Sequence, residues 1–349
     1  LHVRSRRQRQ MCIRDRDKNS EVRIRFRTAV GNVDRVYLCI GDEGHLMEHI
    51  KTDMLFDYYE YMIKIEETQI KYYFKIVSGF EECFYDKSGV CDKRLGWYDF
   101  VITPGFKTPD WAKGAVMYQI YTDRFFNGDK SNDVETREYS YIGDYSVKVD
   151  DWYKYPATMG VREFYGGDIQ GVWDKLDYLE KLGVEVIYFN PMFVSPSNHK
   201  YDIQDYDYID PHFGKIVKDE GELLSEGNYL NREASRYITR VTDKANLEAS
   251  NELFARFVEE VHRRGMKVIL DGVFNHCGSF NKWLDREQIY ENQEGYEKGA
   301  YVSGDSPYRS FFKFFEDAWP YNYHYNGWWG HDTLPVSYTH LRAHETVLD

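Results

Sequence analysis

A change of hydrophobic period part-way along the chain constrains its fold more than any other feature. Between residues 17 and 106 apolar side chains recur at every second position. Val22, Ile24 and Phe26 alternate with Arg23, Arg25 and Arg27, and the alternation returns at Val36, Leu38 and Ile40, at Tyr61, Ile63 and Ile65, and at Tyr72, Phe74 and Ile76. A period of two sets one face of an extended strand against a core and leaves the other in water. Gly31-Asn32, Gly41-Asp42 and Ser78-Gly79 punctuate these runs as turns. Short strands at this spacing predict an antiparallel sandwich. Thr103-Pro104-Gly105 and Pro109 then break both periods, which marks a linker.

Beyond the linker the pattern becomes strand, helix, strand. The apolar run 115–122 suits a strand buried on both faces. Ile169, Val172, Leu176, Leu179 and Leu182 form one stripe, which predicts a helix over 168–182 stopped by Gly183. A second strand is predicted at 184–190. A second helix carries Leu253, Phe254, Phe257, Val258 and Val261 and ends at Gly265, and a third strand follows at 267–274. This alternation implies a parallel sheet, either a (β/α)8 barrel or a doubly wound sheet. No glycine-rich phosphate loop follows the first strand, which counts against dinucleotide binding. Polar residues gather after each strand: Asp123 and Arg124, then Asn190, then Asn275 and His276. Those are the positions of an active face in a barrel, so the barrel is preferred.

Composition narrows the function classes. The 349 residues carry a net charge of −13, which repels phosphate backbones and argues against nucleic acid or anionic lipid as partner. No apolar run approaches the roughly 18 residues that span a bilayer, so no membrane segment is expected. Tyr, Phe and Trp number 31, 21 and 8. That is more rings than a core needs, and suits a surface that stacks on sugars. Five cysteines without paired metal spacing read as reduced thiols of a cytoplasmic protein.

The ends differ from the middle. The first sixteen residues hold six Arg and no period, and 336–349 are equally aperiodic. A basic nucleic-acid arm is one reading of the first stretch. Both ends read better as translated sequencing-adapter sequence, to be left out of fold reasoning.

Three polar clusters could carry chemistry. Asp271, Asn275 and His276 close the third strand and could hydrogen-bond a polyol, orient a charge, ligate a cation or merely cap the strand. The loop 197–202 offers Tyr201 as a stacking ring with His199 and Asp202 beside it, unless it is simply a polar loop. In 127–133, Asn127, Asp129, Asn132 and Asp133 supply oxygen donors. Calcium takes six to eight such oxygens, although the order is not that of an EF-hand and these residues also form ordinary turns.

The runs AVMYQIYTDRFFNGD, FYGGDIQGVWDKLDYLEKLGVEVIYFNP, SNHKYDIQDYDYIDPHFG and VILDGVFNH, in this order, resemble the α-amylase family, glycoside hydrolase family 13. The β module and its Pro109-Asp110-Trp111 linker narrow the resemblance to the neopullulanase, cyclomaltodextrinase and maltogenic amylase group. It implies an N-terminal all-β, starch-binding-like sandwich (17–106), then the first part of a TIM (β/α)8 barrel. Three βα units (107–276) are followed by the start of the protruding domain B (277–335), between adapter-like tails at 1–16 and 336–349. The implied activity is retaining hydrolysis of α-1,4- and α-1,6-glucans: cyclodextrins, pullulan and starch oligosaccharides. His276 would bond the sugar at the cleavage subsite, Tyr201 would stack on it beside His199, and Asp271 would orient a catalytic arginine. A structural Ca²⁺ would be held by Asn127, Asp129, Asn132, Asp133, the Gly166 carbonyl and Asp168. The resemblance also implies that the nucleophilic Asp and the acid/base Glu belong to the fourth and fifth strands. Only three strands are legible here, so the chain is expected to be a truncated, inactive fragment with no catalytic carboxylate. The group often forms homodimers. The alternatives are a non-catalytic α-glucan-binding protein and a same-fold transglycosylase or branching enzyme.

Overall fold

A computed structural model describes residues 21–65, 69–105 and 108–336. Apart from Val336, both tail segments lie outside the described residues, as do Phe106 and Lys107 of the linker. The chain divides into two compact units between Gly114 and Ala115.

The first unit is the two-sheet sandwich that the alternation predicts. One sheet orders β1 (Glu21–Ala29), β5 (Phe56–Lys64) and β4 (Glu48–Thr52). The other orders β3 (Glu43–Leu46), β2 (Arg35–Ile40), β6 (Ile70–Ser78), β7 (Glu81–Asp86) and β8 (Gly89–Cys91), with β9 (Phe100–Ile102) also paired to β6. Strand register is set by the apolar sets themselves: Val22 faces Ile63, Ile24 faces Tyr61, Val36 faces Ile76 and Leu38 faces Phe74. A slip of one residue would turn each set to water. Val22, Ile24, Val36, Leu38, Ile63 and Phe74 are all buried in one core.

The second unit opens with three parallel strands in chain order, β10 (Met117–Ile120), Val186–Phe189 and Lys267–Leu270. Helices α1 (Ile169–Asp174), α2 (Leu176–Lys181) and α4 (Lys244–Arg263) contribute Ile169, Val172, Leu176, Leu179, Phe257 and Val261 to the core that also holds Ile120, Ile187 and Phe189.

Three local expectations are corrected. The helix expected over 168–182 is two helices, because Lys175 leaves helical geometry at φ −101°, ψ 6°. The break shifts the phase of the stripe, so Leu182 is 52% exposed and Val184 packs into the core. The first strand is not buried on both faces, since Met117 and Gln119 are exposed. A parallel strand is enclosed only when both faces of its sheet are covered, and here the helices cover one. The strands are also shorter than the apolar runs, and the third ends at Leu270, which leaves 271–276 as loop.

Two further clusters complete the unit. Helix α3 (Ser235–Thr242) packs Tyr237, Ile238 and Val241 against Tyr139, Phe164 and Phe280. Residues 277–335 gather Trp283, Leu284, Tyr301, Phe312 and Tyr325. No helix among the described residues is long and apolar enough to cross a membrane.

Candidate active site

The loop after the second strand is wound tightly by its own short polar side chains. Ser195 Oγ donates to Asp202 Oδ1 at 2.7 Å, and Ser197 Oγ donates to the same oxygen. The Tyr201 amide donates to His199 Nδ1 at 3.1 Å. The same nitrogen lies 3.0 Å from Ser197 Oγ.

The remaining predicted residues converge on this loop. Tyr201 Oη donates to Asp271 Oδ2 at 2.7 Å. Burial and the Asp271 carboxylate push the phenol well above its ordinary range. His276 places Nε2 3.1 Å from the Tyr201 carbonyl oxygen. Burial holds the imidazole below its usual pKa, so it is neutral at pH 7. A neutral ring that donates through Nε2 offers Nδ1 as acceptor, and Nδ1 is buried with no partner in the protein. The structure thus brings His199, Tyr201, Asp271 and His276 together at the C-terminal ends of the second and third strands. The partner seen for Asp271 is Tyr201, where the sequence expectation named an arginine.

Other participants were not legible as such. Trp328 stacks on His276 at 4.7 Å and 20°, and Trp329 stacks on Trp328 at 4.1 Å. Asn198 donates through Nδ2 to the Gly160 and Glu163 carbonyls at 2.6 and 2.7 Å, and its Oδ1 accepts from Tyr121 Oη at 2.5 Å. These partners lie far apart in sequence, and no local motif links them.

Asp123, at the end of the first strand, accepts from Arg124 Nε at 2.8 Å and from the Tyr165 amide at 3.0 Å. Complete burial nevertheless raises its carboxyl to about 6.

The predicted cation residues are only partly gathered. Asn127 Nδ2 donates to Asp133 Oδ1 at 2.7 Å. A Cβ at Gly166 would lie 2.3 Å from Asn127 Nδ2 and 2.4 Å from Asp133 Oδ1, so only glycine lets this backbone approach them. The amide oxygens of Asn127 and Asn132 are buried without partners. Asp133 Oδ2 pairs with Lys148 at 2.9 Å, Asp129 faces Lys215 at 2.8 Å, and Asp168 accepts from the amides of Gly128, Asp129 and Gly171 at 3.1, 2.7 and 2.6 Å. Among the described residues no three His, Cys, Asp or Glu form a metal cluster. The orphaned amide oxygens beside one carboxylate suit a hard, oxygen-seeking cation.

An antiparallel sandwich ahead of parallel βα units, with polar and aromatic residues gathered after the strand ends, defines the class as a two-part protein of β-sandwich and α/β units. Residues 119–229 and 249–346 match the alpha amylase catalytic domain, and 16–103 match the alpha amylase N-terminal ig-like domain. The chain belongs to the alpha-amylase family. It is 35% identical over 316 residues to an amylopullulanase of Thermoanaerobacter thermohydrosulfuricus, covering 81% of this chain and 18% of that protein. Neopullulanase 2 of Thermoactinomyces vulgaris is 33% identical over 313 residues, covering 85% and 43%. The solved type III pullulan hydrolase from Thermococcus kodakarensis superposes with a TM-score of 0.52 at 25% identity, covering 93% of this chain and 49% of that one. The chain therefore spans less than half the length of these relatives.

Proposed function

We propose that this chain is the sugar-holding part of a retaining α-glucan glycoside hydrolase acting on cyclodextrins, pullulan or starch oligosaccharides, and that by itself it binds glucan without cleaving it. The observation that carries this reading is the convergence of Tyr201, His199, Asp271 and His276, with an unpartnered acceptor on His276 and an indole stacked against it. The half-buried Tyr201 ring offers an apolar face to the sugar. The names of the relatives, amylopullulanase, neopullulanase and pullulan hydrolase, favour α-glucan as the substrate class.

Retaining hydrolysis needs two carboxyl groups about 5–5.5 Å apart, one of them a free nucleophile. Around this site Asp271 accepts from Tyr201 and Asp123 from Arg124 and backbone amides, while Asp202 accepts from two serines through Oδ1 and keeps Oδ2 buried without a partner. None is assigned as nucleophile or acid. Calorimetric titration with β-cyclodextrin and maltotetraose, with a reducing-end assay run in parallel, tests both halves of the proposal. Binding that falls at least tenfold in Tyr201→Ala, without turnover, is expected. Absence of binding would overturn the sugar-holding role, and turnover would overturn the claim that no nucleophile is present.

The reading includes a structural Ca²⁺ at Asn127, Asp129, Asn132, Asp133, the Gly166 carbonyl and Asp168, supported by the two partnerless amide oxygens. When bound, the ion would supply charge neutralisation only. Asn127 and Asn132 would turn their oxygens to it, Asp133 would balance it, and the loop ahead of α1 would be fixed. An upward shift of the melting temperature with millimolar Ca²⁺, reversed by chelator, is expected, and an unchanged midpoint would remove the ion from the account. A protruding domain over 277–335 is also proposed, supported by the cluster of Trp283, Leu284, Tyr301, Phe312 and Tyr325 within that segment.

A further inference from the structure

Lys200 stands between His199 and Tyr201, yet its own side chain is 1% exposed. Its backbone is left-handed, with φ +61°. A residue with a long side chain keeps that conformation only where its surroundings over-determine it. Those surroundings are specific. The ammonium donates to Asp210 Oδ2 at 2.6 Å and to the Ser195 carbonyl at 2.7 Å, and the Lys200 amide donates to Ser197 Oγ at 3.1 Å. Asp210 Oδ2 also accepts from the Ser195 amide at 3.0 Å, so one carboxylate grips both the start of the loop and its middle.

Asp210 is in turn held from behind. Its Oδ1 accepts from the His212 amide at 2.9 Å and lies 2.8 Å from His212 Nδ1. His212 Nε2 lies 2.7 Å from Glu138 Oε1, and Glu138 Oε2 accepts from Arg240 Nη1 at 2.8 Å. Basic and acidic side chains alternate along the series Lys200, Asp210, His212, Glu138 and Arg240, the two carboxylates hold the His212 pKa above its ordinary value, and all five side chains are buried. A buried ion pair gains little net stability over a well-packed apolar pair, because desolvation offsets the attraction. It does dictate geometry. The ammonium meets Asp210 and the Ser195 carbonyl together, which ties the middle of the 195–202 loop to its start. The left-handed turn in that loop brings the Tyr201 amide back onto His199 Nδ1.

We propose that Lys200 is a positioning residue: its ion pair with Asp210 latches the 195–202 loop, and through it aims His199 and Tyr201 at the sugar site formed with Asp271 and His276. The sugar-facing part rests on the function proposed above, whereas the latch itself does not.

The test uses the full chain and the double variant Lys200→Met/Asp210→Asn, which removes both charges of the latch together while His212 keeps its contact to Glu138. Lys200→Met alone serves as the harsher comparison. Amide exchange is read peptide by peptide, affinity by titration with maltotetraose, and stability by melting temperature. In the double variant, exchange across 196–202 is expected to quicken at least tenfold while α4 is unaffected. Affinity is expected to fall at least tenfold with the melting temperature nearly unchanged. That split separates positioning from general stability. Exchange within twofold of the native chain overturns the latch whatever the sugar does. Quickened exchange with undiminished affinity overturns the aiming role. A native chain that binds no maltotetraose sinks the sugar reading, and the exchange result then still decides the latch.

Discussion

At the residue scale, Asp285 shows how burial can retune a side chain. It is fully buried, sits at φ +53°, and accepts from the amides of Ile289 at 2.8 Å and Tyr290 at 3.1 Å. Desolvation, reinforced by Glu291, outweighs those two donors and raises the carboxyl to about 8. In the unfolded chain the same group titrates near its ordinary value of about 3.9. The folded state therefore holds a proton that the unfolded state has already released. The resulting stabilisation is complete below about pH 4 and drains away as pH rises through 8. Asp285→Asn keeps an acceptor oxygen and cannot ionise. Its melting temperature is expected to stay flatter than that of the native chain between pH 6 and 9. Parallel pH profiles would contradict the assignment. No sequence pattern marks Asp285, because its environment is built by residues of the same segment folding back over it. Tyr201, His199 and His276 were legible, since their types and order at strand ends carry meaning before any coordinates exist. Their mutual contacts were not, nor was the Trp328 ring stacked on His276.

At the element scale, α1 is fixed more by its neighbours than by propensity. Asp168 caps it by accepting from the Gly171 amide, and the loop before it lies so close that a Cβ on Gly171 would sit 1.8 Å from the Phe126 carbonyl oxygen. Alanine is the better helix former by about 1 kcal/mol, which alone would favour Gly171→Ala. A clash with backbone cannot be relieved by a rotamer change, and overpacking of this kind costs about 1–3 kcal/mol. The variant is therefore expected to be less stable by denaturant titration, and a stabilised Gly171→Ala would show that the loop yields freely. The same region explains the misread helix. The stripe from Ile169 to Leu179 was visible as a 3.6-residue period. The break at Lys175 was not, because that position carries neither proline nor glycine. The sandwich strands were easier to read, since a two-residue period survives turns that reset the chain.

At the scale of the whole molecule, the first unit has a core of its own, closed by two sheets. Residues 17–114 produced alone are expected to melt in one cooperative transition with a β-rich circular dichroism spectrum. A spectrum without such a transition would show that the unit depends on the rest of the chain. In the second unit the helices cover one face of the three-stranded sheet, while Met117 and Gln119 on the other face meet solvent.

The sequence by itself determined the two-part organisation, the in-and-out alternation of the sandwich strands, the succession of strands and helices after the linker and the residue types at the strand ends. Each of these follows from hydrophobic period and turn chemistry, which act over a few residues. Only the tertiary structure decided that Tyr201 binds Asp271, that His276 keeps a buried acceptor free, and that Lys200 is buried on Asp210. Hydrogen bonds and burial depend on which distant segments come to lie together, and desolvation has no value until they do.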